Sequence, residues 1–87
     1  MKYEVRQSFV KDAAKLPAPV QKKIAQLIID IENAKSLTEL PSCKKLLGFK
    51  TAYRIRVGSY RIGFFLEKNV IELVRVLDRK NMYRFFP

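Results

Sequence analysis

Between residues 52 and 62 the chain reads A-Y-R-I-R-V-G-S-Y-R-I, a pattern that leaves it one local structure. Apolar and basic residues swap at every step. That is the period of an extended strand, so Tyr53, Ile55 and Val57 share one face and Arg54 and Arg56 the other. Gly58 and Ser59 then form a two-residue turn with glycine first, which sets Val57 opposite Tyr60 and Arg56 opposite Arg61. Directly opposed residues lie on the same face of a sheet. The hairpin therefore predicts a cluster of Arg54, Arg56 and Arg61 on one side, with Tyr53, Ile55, Val57, Tyr60, Ile62 and Phe64 buried on the other. Arg56 against Arg61 is a like-charge pair, costing a few tenths to about 1 kcal/mol. A wet sheet face tolerates such a pair, whereas a phosphate, whose oxygens match guanidinium forks two at a time, offsets it.

The 87 residues suit one small domain, and a hydrophobic fraction of 48% argues against disorder. No apolar run is long enough to span a bilayer, and the alternating opening segment is unlike a secretory leader, so a cytoplasmic location without membrane contact is expected. With one cysteine and no histidine, an internal disulfide, a Cys/His zinc site and a Ser/His or Cys/His dyad are all excluded. No metal or cofactor is expected, and Cys43 reads as a small apolar filler. Acid–base chemistry is left to Lys, Tyr, Asp, Glu or groups of the substrate. The net charge of +10 calls for an anionic partner, either nucleic acid or an acidic protein. The charge is unevenly spread: residues 1–43 carry +2 and residues 44–87 carry +8, with six of the seven arginines after residue 53.

Tyr3 and Val5, with Gln7 at the margin, alternate with Lys2, Glu4 and Arg6 as a first strand, and Ser8 is placed to cap a helix carrying Phe9, Val10, Ala13, Ala14 and Leu16. Pro17 stops that helix, and Pro19 is tolerated in the first turn of the next. There Val20, Ile24, Leu27, Ile28 and Ile31 make one apolar stripe running to about residue 34. Residues 35–47 read as a connector with one helical turn at 36–39, and the hairpin strands follow at about 50–57 and 60–67. A turn near Lys68 and Asn69 leads to a further strand at about 70–77. Its facing is open: a two-residue turn puts Glu72 on the arginine face and Arg75 on the other, and a three-residue turn reverses both. After Asp78 a short turn of helix is expected. The fold class is α+β, with two N-terminal helices on one face of a small, mainly antiparallel four-stranded sheet in the order β-α-α-β-β-β. Internal repeats and Gly-rich phosphate loops are absent from the sequence.

This element order, with S-F-V-K-D-A-A-K-L-P at 8–17, K-K-L-L-G-F-K-T-A-Y-R-I-R-V-G-S-Y-R-I at 44–62 and V-L-D-R-K-N-M-Y-R at 76–84, resembles the RelE/ParE superfamily of toxins from toxin–antitoxin pairs. The resemblance spans most of the chain and implies one toxin domain over 1–87. It leaves two activities open, because RelE-like toxins cut messenger RNA on the ribosome and ParE-like toxins act on DNA gyrase; a catalytically weakened member that binds only RNA or antitoxin is a third reading.

Residue by residue, the nuclease branch finds candidates for all its roles. Arg54 and Arg56 fall at its basic strand positions, Arg61 at the Tyr-Arg arginine, Arg79 at the arginine after the last strand, and Tyr83 at the terminal tyrosine. The chemistry implied is an endoribonuclease reaction without metal, in which the RNA 2′-hydroxyl attacks the adjacent phosphate. In that reading Arg61 and Arg79 stabilise charge on the phosphate, and Arg54 and Arg56, with Lys44 and Lys45 beside the hairpin, bind the backbone. Tyr83 stacks on a base or orients an oxygen. The implied partners are an acidic cognate antitoxin, the 70S ribosome and messenger RNA in its A site. Some members carry a lysine at the Arg54 position and others a histidine just before the arginine matched by Arg79; here these are Arg54 and Asp78. Arginine does not serve as an ordinary base, so Asp78 stands as proton acceptor or as the group that orients Arg79, with Lys44, Lys45, Lys50 and Lys80 as the other choices.

Overall fold

In the computed structural model, which describes residues 1–87, the chain runs β1 (Lys2–Val5), α1 (Gln7–Ala14), α2 (Ala18–Asn33), a 3-10 turn (Leu37–Glu39), β2 (Cys43–Lys45), β3 (Ala52–Val57), β4 (Tyr60–Glu67), β5 (Val70–Asp78) and α3 (Arg79–Phe85). The sheet has five strands in the order β1-β5-β4-β3-β2, all neighbours antiparallel except β1 with β5. The α+β class and the helix pair hold. The fifth strand is β2, which forms inside the expected connector. It has no alternation of its own to reveal it, and pairs Cys43 with Ile55 and Lys44 with Arg54 at the sheet edge. Cys43 packs against the core, and burial raises its thiol pKa, as suits a filler.

The hairpin has the register its turn dictates, with Val57 opposite Tyr60 and Arg56 opposite Arg61; Gly58, at φ +59°, takes the left-handed first position of the turn. Lys68 and Asn69 both have positive φ and close a second two-residue turn, so Glu72 pairs with Phe65 on the arginine face. A bulge follows at Gly63/Phe64, and beyond it Arg75 reaches α1.

The main core lies between the helices and one sheet face. Ile24, Leu27 and Ile31 of the α2 stripe pack with Phe9 of α1 against Ile55, Val57, Ile62, Phe64, Ile71, Leu73 and Val76. Pro17 occupies the N-cap position of α2 as the proline stop requires. Ser8, in contrast, is not the cap of α1. The helix starts at Gln7 with Arg6 in the N-cap position, and the Ser8 hydroxyl donates to the Val74 carbonyl at 2.6 Å. The reason is that β1 ends at Val5, leaving the rest of that β5 edge without a strand partner, and α1 supplies polar groups instead. Asp12 does the same further along. Its carboxylate accepts from Val76 N at 3.0 Å and from Arg75 Nε at 2.7 Å. Replacing Asp12 by alanine leaves both donors partly buried and unpaired, and lowers stability by about 2 kcal/mol; urea unfolding with an unchanged m-value is the measurement that checks it.

The arginine face is only half open to water. Met82 of α3 and Phe86 after it close on Leu46, Ala52 and Val74 in a second, smaller core, flanked by Phe65 and Leu77. A closed contact makes this possible: a Cβ added at Gly63 would lie 2.6 Å from the Phe86 ring.

Candidate functional site

Alternation along β2, β3 and β4 projects Lys44, Arg54, Arg56 and Arg61 from the face opposite the helices, in directly opposed pairs. The second core then lays α3 across that face. Arg79 and Tyr83, four residues apart, sit one above the other on the same side of the helix. The two sets meet. Together with Ser42 they line a cleft of about 410 Å³, in which four guanidinium groups and one ammonium gather without a single carboxylate. The fold's two ion pairs, Arg6 with Glu72 and Arg75 with Asp12, lie elsewhere.

Arg61 is the centre of this crowding. Its pKa is lowered, first by burial and then by the like charges of Arg56, Arg54 and Arg79, with Tyr83 acting in the opposite sense. The guanidinium remains protonated at any physiological pH. Its NH1 donates to the carbonyls of Tyr60 at 3.2 Å and Gly58 at 3.4 Å, which holds the fork over the hairpin turn. Arg54 lies with Cζ 6.0 Å from the centroid of the Tyr83 ring, a cation–π contact joining sheet and helix. The lining has no carboxylate, imidazole or thiolate to offer a divalent ion. What it offers is an array of charged donors aimed at one small space.

The remaining sequence candidates lie around this cleft. Asp78 is the N-cap of α3: one carboxylate oxygen accepts from Asn81 N at 2.8 Å and the other from Asn81 Nδ2 at 3.3 Å. It is outside the lining and bears on the site through the helix whose first residue is Arg79. Lys45 lines a neighbouring cleft, which it shares with Lys44, Arg54 and Tyr83. Lys50 and Lys80 are exposed and line neither. Sequence reasoning passed over Ser42, whose carbonyl accepts from Arg56 N at 3.4 Å while its backbone stands at φ +56°. Its place in the lining depends on β2, which no pattern marked. The seat of Phe86 on Gly63 was also unseen, although a glycine inside a strand is the usual sign of close approach.

Comparison with known proteins places the chain. The family described as ParE toxin of type II toxin-antitoxin system, parDE, matches residues 3–83. The curated Toxin RelE3 of Methanocaldococcus jannaschii is 41% identical over 88 residues, covering 100% of both chains. Among solved structures, the chain is similar to one in the RelB-RelE antitoxin-toxin complex from Methanococcus jannaschii, with a TM-score of 0.82, 38% identity and coverage of 95% of this chain and 98% of that one. The archaeal RelE-RelB complex from Pyrococcus horikoshii OT3 shares the fold at a TM-score of 0.72, with 22% identity and coverage of 90% and 93%.

Proposed function

Since the chain belongs to the RelE/ParE superfamily of toxins from type II toxin–antitoxin systems, RelE-like within it, we propose that it is a ribosome-dependent endoribonuclease that cuts messenger RNA in the A site. One observation carries this reading: Arg54, Arg56, Arg61, Arg79 and Tyr83 converge on a single cleft that contains no acid. A pocket for a neutral or cationic ligand would not pack like charges this way, whereas an RNA phosphate relieves them.

In the reaction, the ribose 2′-oxygen forms a bond to the adjacent phosphorus and the P–O5′ bond breaks. The products are a 2′,3′-cyclic phosphate and a 5′-hydroxyl. A proton leaves the 2′-hydroxyl and one is taken up by O5′, so no water is consumed in this step. Charge develops on the non-bridging oxygens, and Arg61 and Arg79 face that position from the sheet and the helix respectively. Arg54, Arg56 and Lys44 hold the neighbouring phosphates, with Lys45 further along the strand. Tyr83, its ring already oriented by Arg54, stacks on a base or steadies the attacking or leaving oxygen. Asp78 fixes Arg79 by capping its helix. The 2′-hydroxyl proton passes to a non-bridging oxygen of the phosphate, and Lys44 and Tyr83, which line the cleft, are the protein groups that relay a proton to O5′.

The same charge explains inhibition by a cognate partner: an acidic antitoxin neutralises the +8 half of the chain and covers the cleft. The matched family's ParE description keeps a gyrase-directed activity in contention. Following induction in growing cells separates the two. Translation stops first, with messages cut in the A site, and purified protein reproduces the cut on programmed 70S ribosomes. A DNA-damage response with intact messages overturns the nuclease reading in favour of gyrase, and stable 70S binding without cutting overturns it in favour of a weakened binder.

A further inference from the structure

A second cleft, of about 510 Å³, adjoins the basic one and shares Lys44, Arg54 and Tyr83 with it. Its distinctive wall is the loop between β2 and β3. Leu46 N donates to Ala52 O at 2.9 Å and Phe49 N to Leu46 O at 3.4 Å, so the loop is a closed turn. At its tip Leu47 is 96% exposed and Phe49 49% exposed. Neither side chain joins either core. Folding thus gives no account of a hydrogen-bonded turn that holds a leucine and a phenylalanine in water beside three cations, Lys44, Lys45 and Arg54, and such a patch is the mark of a binding surface.

We infer that this cleft is a nucleobase subsite, which receives the unstacked base of the ribonucleotide flanking the phosphate held in the basic cleft. The inference rests on the messenger-RNA reading above and adds to it a residue pair, Leu47 and Phe49, outside the phosphate machinery. A single-stranded RNA alternates an anion with a flat aromatic plane, one ribose apart. The protein presents the matching alternation: guanidinium groups in one cleft, apolar and aromatic surface in the next, with Arg54 and Tyr83 common to both. Because the clefts share Lys44, Arg54 and Tyr83, a phosphate among the arginines has its own base beside the Phe49 wall. A uniformly acidic protein segment satisfies the charge but not the apolar wall.

A 2′-O-methylated RNA trinucleotide cannot be cut, and its fully abasic counterpart carries the same phosphates. Fluorescence anisotropy on the purified protein compares the two. The parent protein is expected to favour the trinucleotide with bases, and Phe49→Ala to reduce that preference by about tenfold, the scale of one lost base stack, while binding the abasic chain as before. Leu47→Ser acts in the same direction. Both side chains are outside the cores, so the variants fold, which circular dichroism confirms. A parent without base preference, or a Phe49→Ala variant that weakens both ligands equally, overturns the subsite. So does a variant that keeps RNA binding but loses a cognate antitoxin, since the cleft is then a protein-docking surface. Failure of the nuclease reading looks different: base preference survives, and programmed ribosomes are left uncut.

Discussion

On the proposed nuclease reading, Arg61→Ala and Arg79→Ala are each expected to slow message cleavage on the ribosome by about 10² to 10³-fold, the loss that accompanies removal of one preorganised donor from a developing oxyanion. Growth inhibition by the induced toxin falls with it. The informative part is what does not fall. Arg61 takes part in no ion pair, and its pKa is lowered by burial and by three other arginines, so in the free protein its charge is a burden. Its loss removes the like-charge pair with Arg56 across the ladder, and the thermal midpoint of Arg61→Ala should match or exceed that of the parent. A fall in activity coupled with unchanged or higher stability has no explanation in misfolding. If both variants remain fully toxic, the cleft is not the site.

Gly63→Ala is the second change with a large effect, and it acts from a position that touches no substrate. The new methyl group would stand 2.6 Å from two atoms of the Phe86 ring and 2.8 Å from a third. Either the ring leaves its seat or the strand shifts, and overpacking of this kind costs about 1 to 3 kcal/mol. Because Phe86 and Met82 anchor α3, the displacement carries Arg79 and Tyr83 with it, and a misplacement of about 1 Å is sufficient for a 10²-fold loss of rate. A double-mutant cycle isolates the contact. Once Phe86 is alanine, the methyl group at residue 63 has room, so the double variant is expected to be no less stable than Phe86→Ala alone. Strictly additive penalties in chemical denaturation would show that the contact does not control the docking of α3.

What could be read in the sequence divides along physical lines. The hairpin, its register and the shared face of Arg54, Arg56 and Arg61 follow from period-two alternation and a two-residue turn, both local properties, and the α2 stripe is equally local. Arg79 and Tyr83 entered only through resemblance, since nothing in residues 79–85 announces that a short helix folds back over the sheet. The misses share one cause. β2, the bulge beside Val74, the hydroxyl of Ser8 on a β5 carbonyl and the seat of Phe86 on Gly63 are all dictated by what a neighbouring segment lacks. Ser8 caps well in isolation. It was drawn away because β1 is too short to satisfy the edge of β5.

The two cores differ in size, thirteen buried residues beneath the hairpin and five beneath α3. Local opening draws on the stability of the region that opens, and the strands holding Arg54, Arg56 and Arg61 belong to the part of the molecule that opens last, whereas Arg79 and Tyr83 ride on the part that opens first. The cleft is therefore a composite with two clocks. One wall endures as long as the protein stays folded; the other lasts only while Met82 and Phe86 keep their seat on the sheet.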